Sequence, residues 1–311
     1  MFSIYKPSSL QGSFDRKKYF EGWFHKIYSE KYKASFILIY GYTTGNSTKK
    51  FGFIQVHIPN QKVLIMYFDK NEVFCDPNRH VVRMGEHILT TNKIDINTKE
   101  IGIQLHLTNN QSIPTFKNSM GYSYVIPNLT CYHAILNKSH LVSGEIRTAN
   151  TSFALDQDMG YLEKNWGTSF PENYIWLHAV DPADAKVNLL FSQAEIKWMG
   201  STFFRHLGYL NFENEYIDLR LLKNSIVSSS FVSSEKQVIH ISSKLIELEI
   251  SIVLGEQVLF KGPEDGALRR DIIHYTDALI EVKLKQNAGI RLFHLVGNFE
   301  NVRITNEKMH S

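Results

Sequence analysis

Two short stretches set an acid among aromatic residues. One is Tyr19-Phe20-Glu21-Gly22-Trp23, the other Tyr161-Leu162-Glu163-Lys164-Asn165-Trp166. An apolar setting of that kind favours the uncharged form of a carboxyl and so bears on proton transfer. Further along, His178 follows Trp176 at i+2, so on a strand the two share a face. An imidazole there could shuttle a proton, although a single strand histidine is as readily a hydrogen-bonded structural residue. Cys131 and His133 also share a face and have the types of a nucleophilic pair, but nothing else in the chain supports that chemistry. No CxxC and no Cys/His spacing suited to a metal is present.

Strand geometry separates the two acid-bearing stretches. In the first, Tyr19, Glu21 and Trp23 share one face. In the second, Tyr161, Glu163 and Asn165 share a face while Leu162, Lys164 and Trp166 lie opposite. Only a bulge would bring Glu163 and Trp166 together, and Gly167 would tolerate one. A bulge or a strand end is therefore predicted at Gly167.

The elements that must carry these residues are strands. Ile101, Ile103, Leu105 and Leu107 alternate with polar or small residues, as do Ile246, Leu248, Ile250 and Ile252, and Ile280, Val282 and Leu284. Each pattern puts one face in a core and the other in water. Turn residues separate such runs at Gly45-Asn46, Pro59-Asn60, Asn109-Asn110, Glu213-Asn214, Gly255-Glu256 and Asn287-Ala288-Gly289. No segment shows a long helical period with caps. The reading is an all-β chain of two tandem antiparallel barrels, closure removing the exposed edges of its apolar strands. The two Tyr-apolar-Glu stretches form a weak internal repeat, each opening one barrel. The boundary then falls within residues 156–160, giving domains 1–158 and 159–311.

Composition narrows the function classes. Hydrophobic residues make up 43% and charged residues 21% of 311, which argues against disorder. Aromatics reach 13%, with 15 Tyr and 20 Phe, suiting strands and apolar pockets. Net charge is +3 with the basic residues dispersed, so nucleic acid is not an expected partner. Two cysteines, Cys75 and Cys131, suit a reducing compartment. The first residues lack the apolar core of a signal peptide, and no apolar run approaches the ~20 residues of a membrane helix. A cytoplasmic, soluble protein is expected.

The stretch Phe14-Asp15-Arg16-Lys17-Lys18-Tyr19-Phe20-Glu21-Gly22-Trp23-Phe24 resembles the opening signature of the tocopherol cyclase family, with Lys26 at its basic position. Tyr161-Leu162-Glu163-Lys164-Asn165-Trp166-Gly167-Thr168-Ser169-Phe170-Pro171 resembles the central signature, and the spacing on to Trp176 fits. Gly262-Pro263 and the run from Leu268-Arg269-Arg270-Asp271 to Leu284 are similar to a looser C-terminal segment. The resemblance implies tandem lipocalin-like barrels and relatives, carotenoid hydratases among them, that protonate isolated alkenes. The implied activity is that of an intramolecular lyase (cyclase) or a hydratase. It acts on a small prenylated, apolar molecule and needs no metal or organic cofactor. Integral membrane association is not implied, though peripheral contact would suit such a substrate.

Such a reaction needs a carboxyl kept protonated and ring faces to stabilise a cation. Glu163 is the first candidate acid and Asp158 the second, with His178 as proton shuttle. Tyr161, Trp166, Trp176 and Trp23 are candidates to line the pocket. Each has a plainer role. Glu163 could hold the barrels together by pairing with Lys164 or an arginine. The aromatic residues could be core packing. Gly22-Trp23 matches the Trp that plugs lipocalin-like barrels over an arginine, for which Arg147 is placed. The alternative function is a carrier of an apolar ligand without turnover, or a scaffold with filled barrels.

Overall fold

A computed structural model describes residues 6–46, 48–113, 118–184, 186–213, 215–221, 226–286, 289–302 and 308–310. Period-two apolar runs become strands, as their alternation requires. Ile101, Ile103, Leu105 and Leu107 are buried along one face of Ile101–Thr108, and Ile246, Leu248, Ile250 and Ile252 along one face of Ile246–Val253. The fold is all-β, and the helices among the described residues are short 3-10 turns.

The chain forms two units, Met1–Phe170 with Lys261–Arg270, and Pro171–Phe260 with Asp271–Ser311. The first contains β1 (Phe20–Ser29), β2 (Ala34–Thr43), β3 (Gly52–His57), β4 (Leu64–Phe68), β5 (Val73–Cys75), β6 (Val81–Met84), β7 (His87–Thr90), β8 (Lys93–Asn97), β9 (Ile101–Thr108), β10 (Cys131–Thr148) and β11 (Ser152–Gly167). Sequential strands pair antiparallel and β11 returns to pair with β1, so the meander nearly closes into a barrel. The one break in the order lies between β4 and β5, which a 3-10 turn at Lys70–Glu72 connects.

The second unit repeats the plan with β12 (Tyr174–Val180), β13 (Asn188–Trp198), β14 (Ser201–Phe212), β15 (Glu215–Asp218), β16 (Ile226–Phe231), β17 (Lys236–Ser242), β18 (Ile246–Val253), β19 (Glu256–Glu264), β20 (Ala267–Gln286), β21 (Gly289–Val302) and β22 (Lys308–His310). Here β21 returns to β12, β22 adds to β16, and β19 pairs with β20 outside the main order.

Two expectations are corrected. The boundary is not at residue 158, which lies inside β11; the first unit runs on to Phe170 because β11 supplies the closing partner of β1. Nor does each copy of the repeat open a barrel. Both copies lie in the first unit as neighbouring strands, with Glu21 opposite Trp166 and Trp23 opposite Lys164. The expected strand end at Gly167 is present. Its φ of 149° falls where side chains are disfavoured, and a Cβ there would lie 2.2 Å from the Thr130 carbonyl oxygen.

A hairpin tip completes the first unit. Asp265 and Gly266, with φ of 51° and 70°, join Glu264 to Ala267 in the two-residue turn that favours Asp-Gly. Gly45 N donates to Gly266 O (2.7 Å), and Gly266 N donates to Thr168 O (2.7 Å). The Gln55 amide clasps the Lys261 backbone from both ends, donating to its carbonyl (2.9 Å) and accepting from its N–H (2.8 Å). Among the described residues no helix is long and apolar enough to cross a membrane.

Candidate functional site

The inner faces of β1, β2 and β11 converge on a fully buried ion pair. Lys164 Nζ lies 2.5 Å from Glu21 Oε1, and both side chains are excluded from solvent. Removing two charges from water is costly unless every lone pair and proton is used. Here they are. Glu21 accepts from the Gln11 N–H, the Gly12 N–H, Tyr19 OH (2.8 Å) and Tyr42 OH (3.2 Å). Lys164 also donates to the carbonyls of Pro7 (3.0 Å) and Ser9 (2.6 Å). Its Nζ stands over the rings of Trp23 (5.2 Å) and Trp166 (5.3 Å). Burial pulls the Lys164 pKa down and Glu21 works against that. Trp23 stacks on Tyr40 and His80, and His80 accepts or donates at Tyr40 OH over 3.0 Å. The cation beneath Trp23 is thus Lys164. Arg147, placed there by sequence position, is instead a surface residue near Glu145. This end of the barrel is filled, which fits a structural role for Trp23, Trp166 and Glu21.

Toward the other end the lining changes. His25 Nε2 and His140 Nε2 are 2.7 Å apart, so one donates and the other accepts. Burial lowers both pKa values, that of His140 to about 3. Gly160, in register with both Ile27 and His140, leaves room for that imidazole. Beyond it, a positive φ at Gln157 interrupts the alternation of β11. Leu155 and Asp158 therefore pair with Gly144 and Val142, and Asp158 shares the inner side with buried Val142. Burial raises the Asp158 pKa more than the hydrogen bonds from Ser29 and the Asp156 N–H (3.2 Å) and the charge of Lys31 lower it. Tyr32, Phe36 and Phe153 meet edge to face at this end, with centroids 5.1 to 6.3 Å apart.

The outer side of β10 and β11 carries a second polar cluster. Tyr161 OH donates to Glu163 Oε2 (2.8 Å) and Asn165 Nδ2 donates to Oε1 (3.2 Å). His133 Nε2 lies 2.8 Å from Oε2 and donates, since an ionised carboxylate only accepts. Its Nδ1 is 2.8 Å from Ser119 Oγ. Burial pushes the Glu163 pKa up, but His133 and the three hydrogen bonds outweigh it and hold the carboxyl below its ordinary value. Glu163 is therefore an ionised, hydrogen-bonded carboxylate. That departs from the protonated donor expected of it, because the register sets His133 opposite Asn165, within reach of Glu163. Cys131 is not paired with His133. Burial raises its thiol pKa, and the imidazole is engaged by Glu163 and Ser119.

The second unit bears an analogous group on the outer side of β12, β20 and β21. Tyr174 OH donates to Glu300 Oε2 (2.6 Å), and His274 Nδ1 lies 2.7 Å from Glu300 Oε1. Asn298 Nδ2 is 2.8 Å from His274 Nε2. Trp176 packs beside His274 (5.8 Å) and His178 (6.5 Å), so Trp176 and His178 do share a face.

The candidates thus fall in three places. Trp23, Trp166 and Asp158 are inside the first barrel, Tyr161 and Glu163 on its outer side, and Trp176 and His178 on the outer side of the second. Glu163 and Trp166 stay on opposite faces. Sequence reasoning missed Ser119, His274, Asn298 and Glu300. His274 carried a signal, a polar residue at a position of strand alternation that elsewhere is apolar. Ser119 carried none, since a loop brings it to His133.

No family model matches this chain, and no curated protein matches it. Solved structures do. An AttH-type protein of Nitrosomonas europaea superposes with a TM-score of 0.54 and 11% identity, over 94% of this chain and 95% of that one. CghA superposes with a TM-score of 0.56 and 8% identity, over 91% of this chain and 88% of that one. The chain shares their fold. That fold is all-β and lipocalin-like, with two large antiparallel sheets, one nearly closed into a barrel, and identities this low speak to architecture alone.

Proposed function

We propose that the protein protonates an alkene of a prenylated, apolar substrate, with Asp158 as the acid and ring closure by a phenol oxygen as the outcome. The observation that carries this reading is Asp158. Burial raises its carboxyl above its ordinary value, and its strand partner Val142 belongs to the core of the first barrel, as do the rings of Phe36, Tyr32 and Phe153. A neutral acid beside ring faces is what alkene protonation requires. The resemblance of the Tyr19–Trp23 and Tyr161–Trp166 stretches to tocopherol cyclases supports the substrate class.

The steps balance without a co-reactant. Asp158 gives its proton to the less substituted alkene carbon, leaving a tertiary cation. The phenol oxygen bonds to that carbon, and the phenol proton returns to the Asp158 carboxylate. With water as the trap, the same acid gives a hydratase. Glu21–Lys164 and Glu163–His133 hold the strands that position Asp158.

Incubation with prenylated quinols tests the reading, ring closure appearing as a mass-neutral change in retention. Asp158→Asn is expected to lower turnover by about 10²–10⁴ while strand content is unchanged. Glu163→Gln is expected to retain turnover. Equal turnover in Asp158→Asn and the unaltered protein contradicts the assignment.

A further inference from the structure

Inside the first barrel two imidazoles close a link that the sheet itself does not make. His25 lies on β1 between the core residues Trp23 and Ile27, and His140 lies on β10 two residues before the core residue Val142. β1 and β10 are not neighbours. Each pairs with β11, on opposite edges. The two buried rings meet across β11, Nε2 to Nε2 at 2.7 Å. Gly160 lets them meet. It stands opposite His140, and a Cβ there would fall 2.1 Å from His140 Nε2. The register of β10 against β11 shifts between Asn137 and His140, an irregularity of the kind that re-aims a side chain.

A bond between two imidazoles depends on how many protons they hold. With both rings neutral, one Nε2 carries the hydrogen and the other accepts it. A first added proton charges one ring. A second sets two N–H groups against each other and ends the bond. The inward residues beside His25 on β1 are Trp23, Ile27 and Ser29, β2 presents Phe36, Leu38 and Tyr40, and β11 presents Gly160 and Leu162. Of the charged groups further along these faces, Glu21 and Lys164 are engaged with each other, and Asp158 is held by Ser29 and the Asp156 N–H. Tyr40 OH is bonded to His80. His140 and His80 both oppose a charge on His25, and burial opposes one on His140. Among the described residues no carboxylate compensates a charge on either ring. The unfolded chain takes up these protons near the ordinary histidine value of 6.5, whereas the folded pair resists them. The link is therefore fully favourable above that value and weakens as pH falls below it.

We propose that the His25–His140 pair is an acid-sensitive clasp, tying β1 to β10 across Gly160 at neutral pH and releasing them in acid. Release loosens the seam of β1, β11 and β10 at this level first, because the Lys164–Glu21 end keeps its own hydrogen bonds. The clasp does not depend on the chemistry assigned to Asp158.

Hydrogen exchange of the full-length protein, corrected for the intrinsic pH dependence of exchange, reads the clasp as protection of backbone amides. Protection at Ile27 and Val142 is expected to fall at least about tenfold between about pH 7 and about pH 5, since each proton taken up on opening contributes about tenfold per pH unit. In the double variant His25→Gln, His140→Gln the two amides can pair without titrating, and protection is expected to change less than about twofold over the same range. As a measurement that needs no variant, the imidazole Cε1–H resonances of His25 and His140 in the unaltered protein are expected to stay those of neutral rings until protection is lost. The proposal fails if protection at Ile27 and Val142 is the same at both ends of the range, or if the double variant loses it as steeply as the unaltered protein. It fails equally if either ring titrates near the ordinary histidine value with protection intact.

Discussion

At the scale of residues, the chain separates its carboxyls by environment. Glu21 and Glu163 are each surrounded by donors, whereas at Asp158 burial outweighs the hydrogen bonds from Ser29 and the Asp156 N–H. The first two are therefore structural anions. Lys164→Met would strand Glu21 in the core, and a loss of about 3–5 kcal/mol in denaturant unfolding is expected, largely restored by Glu21→Gln in the same chain. Glu163 leaves a signature in pH. Its folded pKa lies below the ordinary 4.5, so its contribution is full above that value and fades as pH falls through the folded pKa. The stability gap between the unaltered protein and Glu163→Gln should be widest near neutral pH and close on acidification; a gap that widens toward acid would contradict the ionised assignment. The sequence named Glu163 as an acid because a Glu among aromatic residues reads as an apolar setting. Its partner His133 arrives through strand register, and Ser119 reaches His133 from a loop, neither of which local pattern specifies.

At the scale of elements, alternation was fully legible. The runs at Ile101–Leu107, Ile246–Ile252 and Ile280–Leu284 form strands with the expected buried faces. Pairing between distant strands was not. The two Glu-bearing stretches look like copies because each must present an acid and a Trp to a crowded strand surface, yet they are adjacent strands of one barrel. The Asp265-Gly266 turn is a strong hairpin signal that the turn inventory passed over. Gly266 has φ of 70°, and a Cβ there would fall 2.2 Å from the Tyr19 nitrogen. Gly266→Ala should cost about 1–3 kcal/mol from backbone strain alone, measured by thermal or denaturant unfolding. A neutral result would mean that the tip does not dock against β1.

At the scale of the whole molecule, sequence pattern gave two barrels of the right class, while the division between them depended on long-range pairing. The first unit needs β11 to close onto β1 and takes residues 261–270 from a distant part of the chain, so no composition change marks its limit. The architecture is shared with proteins of very low identity, and chemistry has to be read from side chains. On that reading the first barrel delivers a proton to carbon. Turnover of a prenylated quinol in D₂O measures this directly. One deuterium bound to the carbon next to the new C–O bond is predicted in the cyclised product, with product formation lost in Asp158→Asn. Product without carbon-bound deuterium, or deuterated product from Asp158→Asn at the unaltered rate, would contradict it.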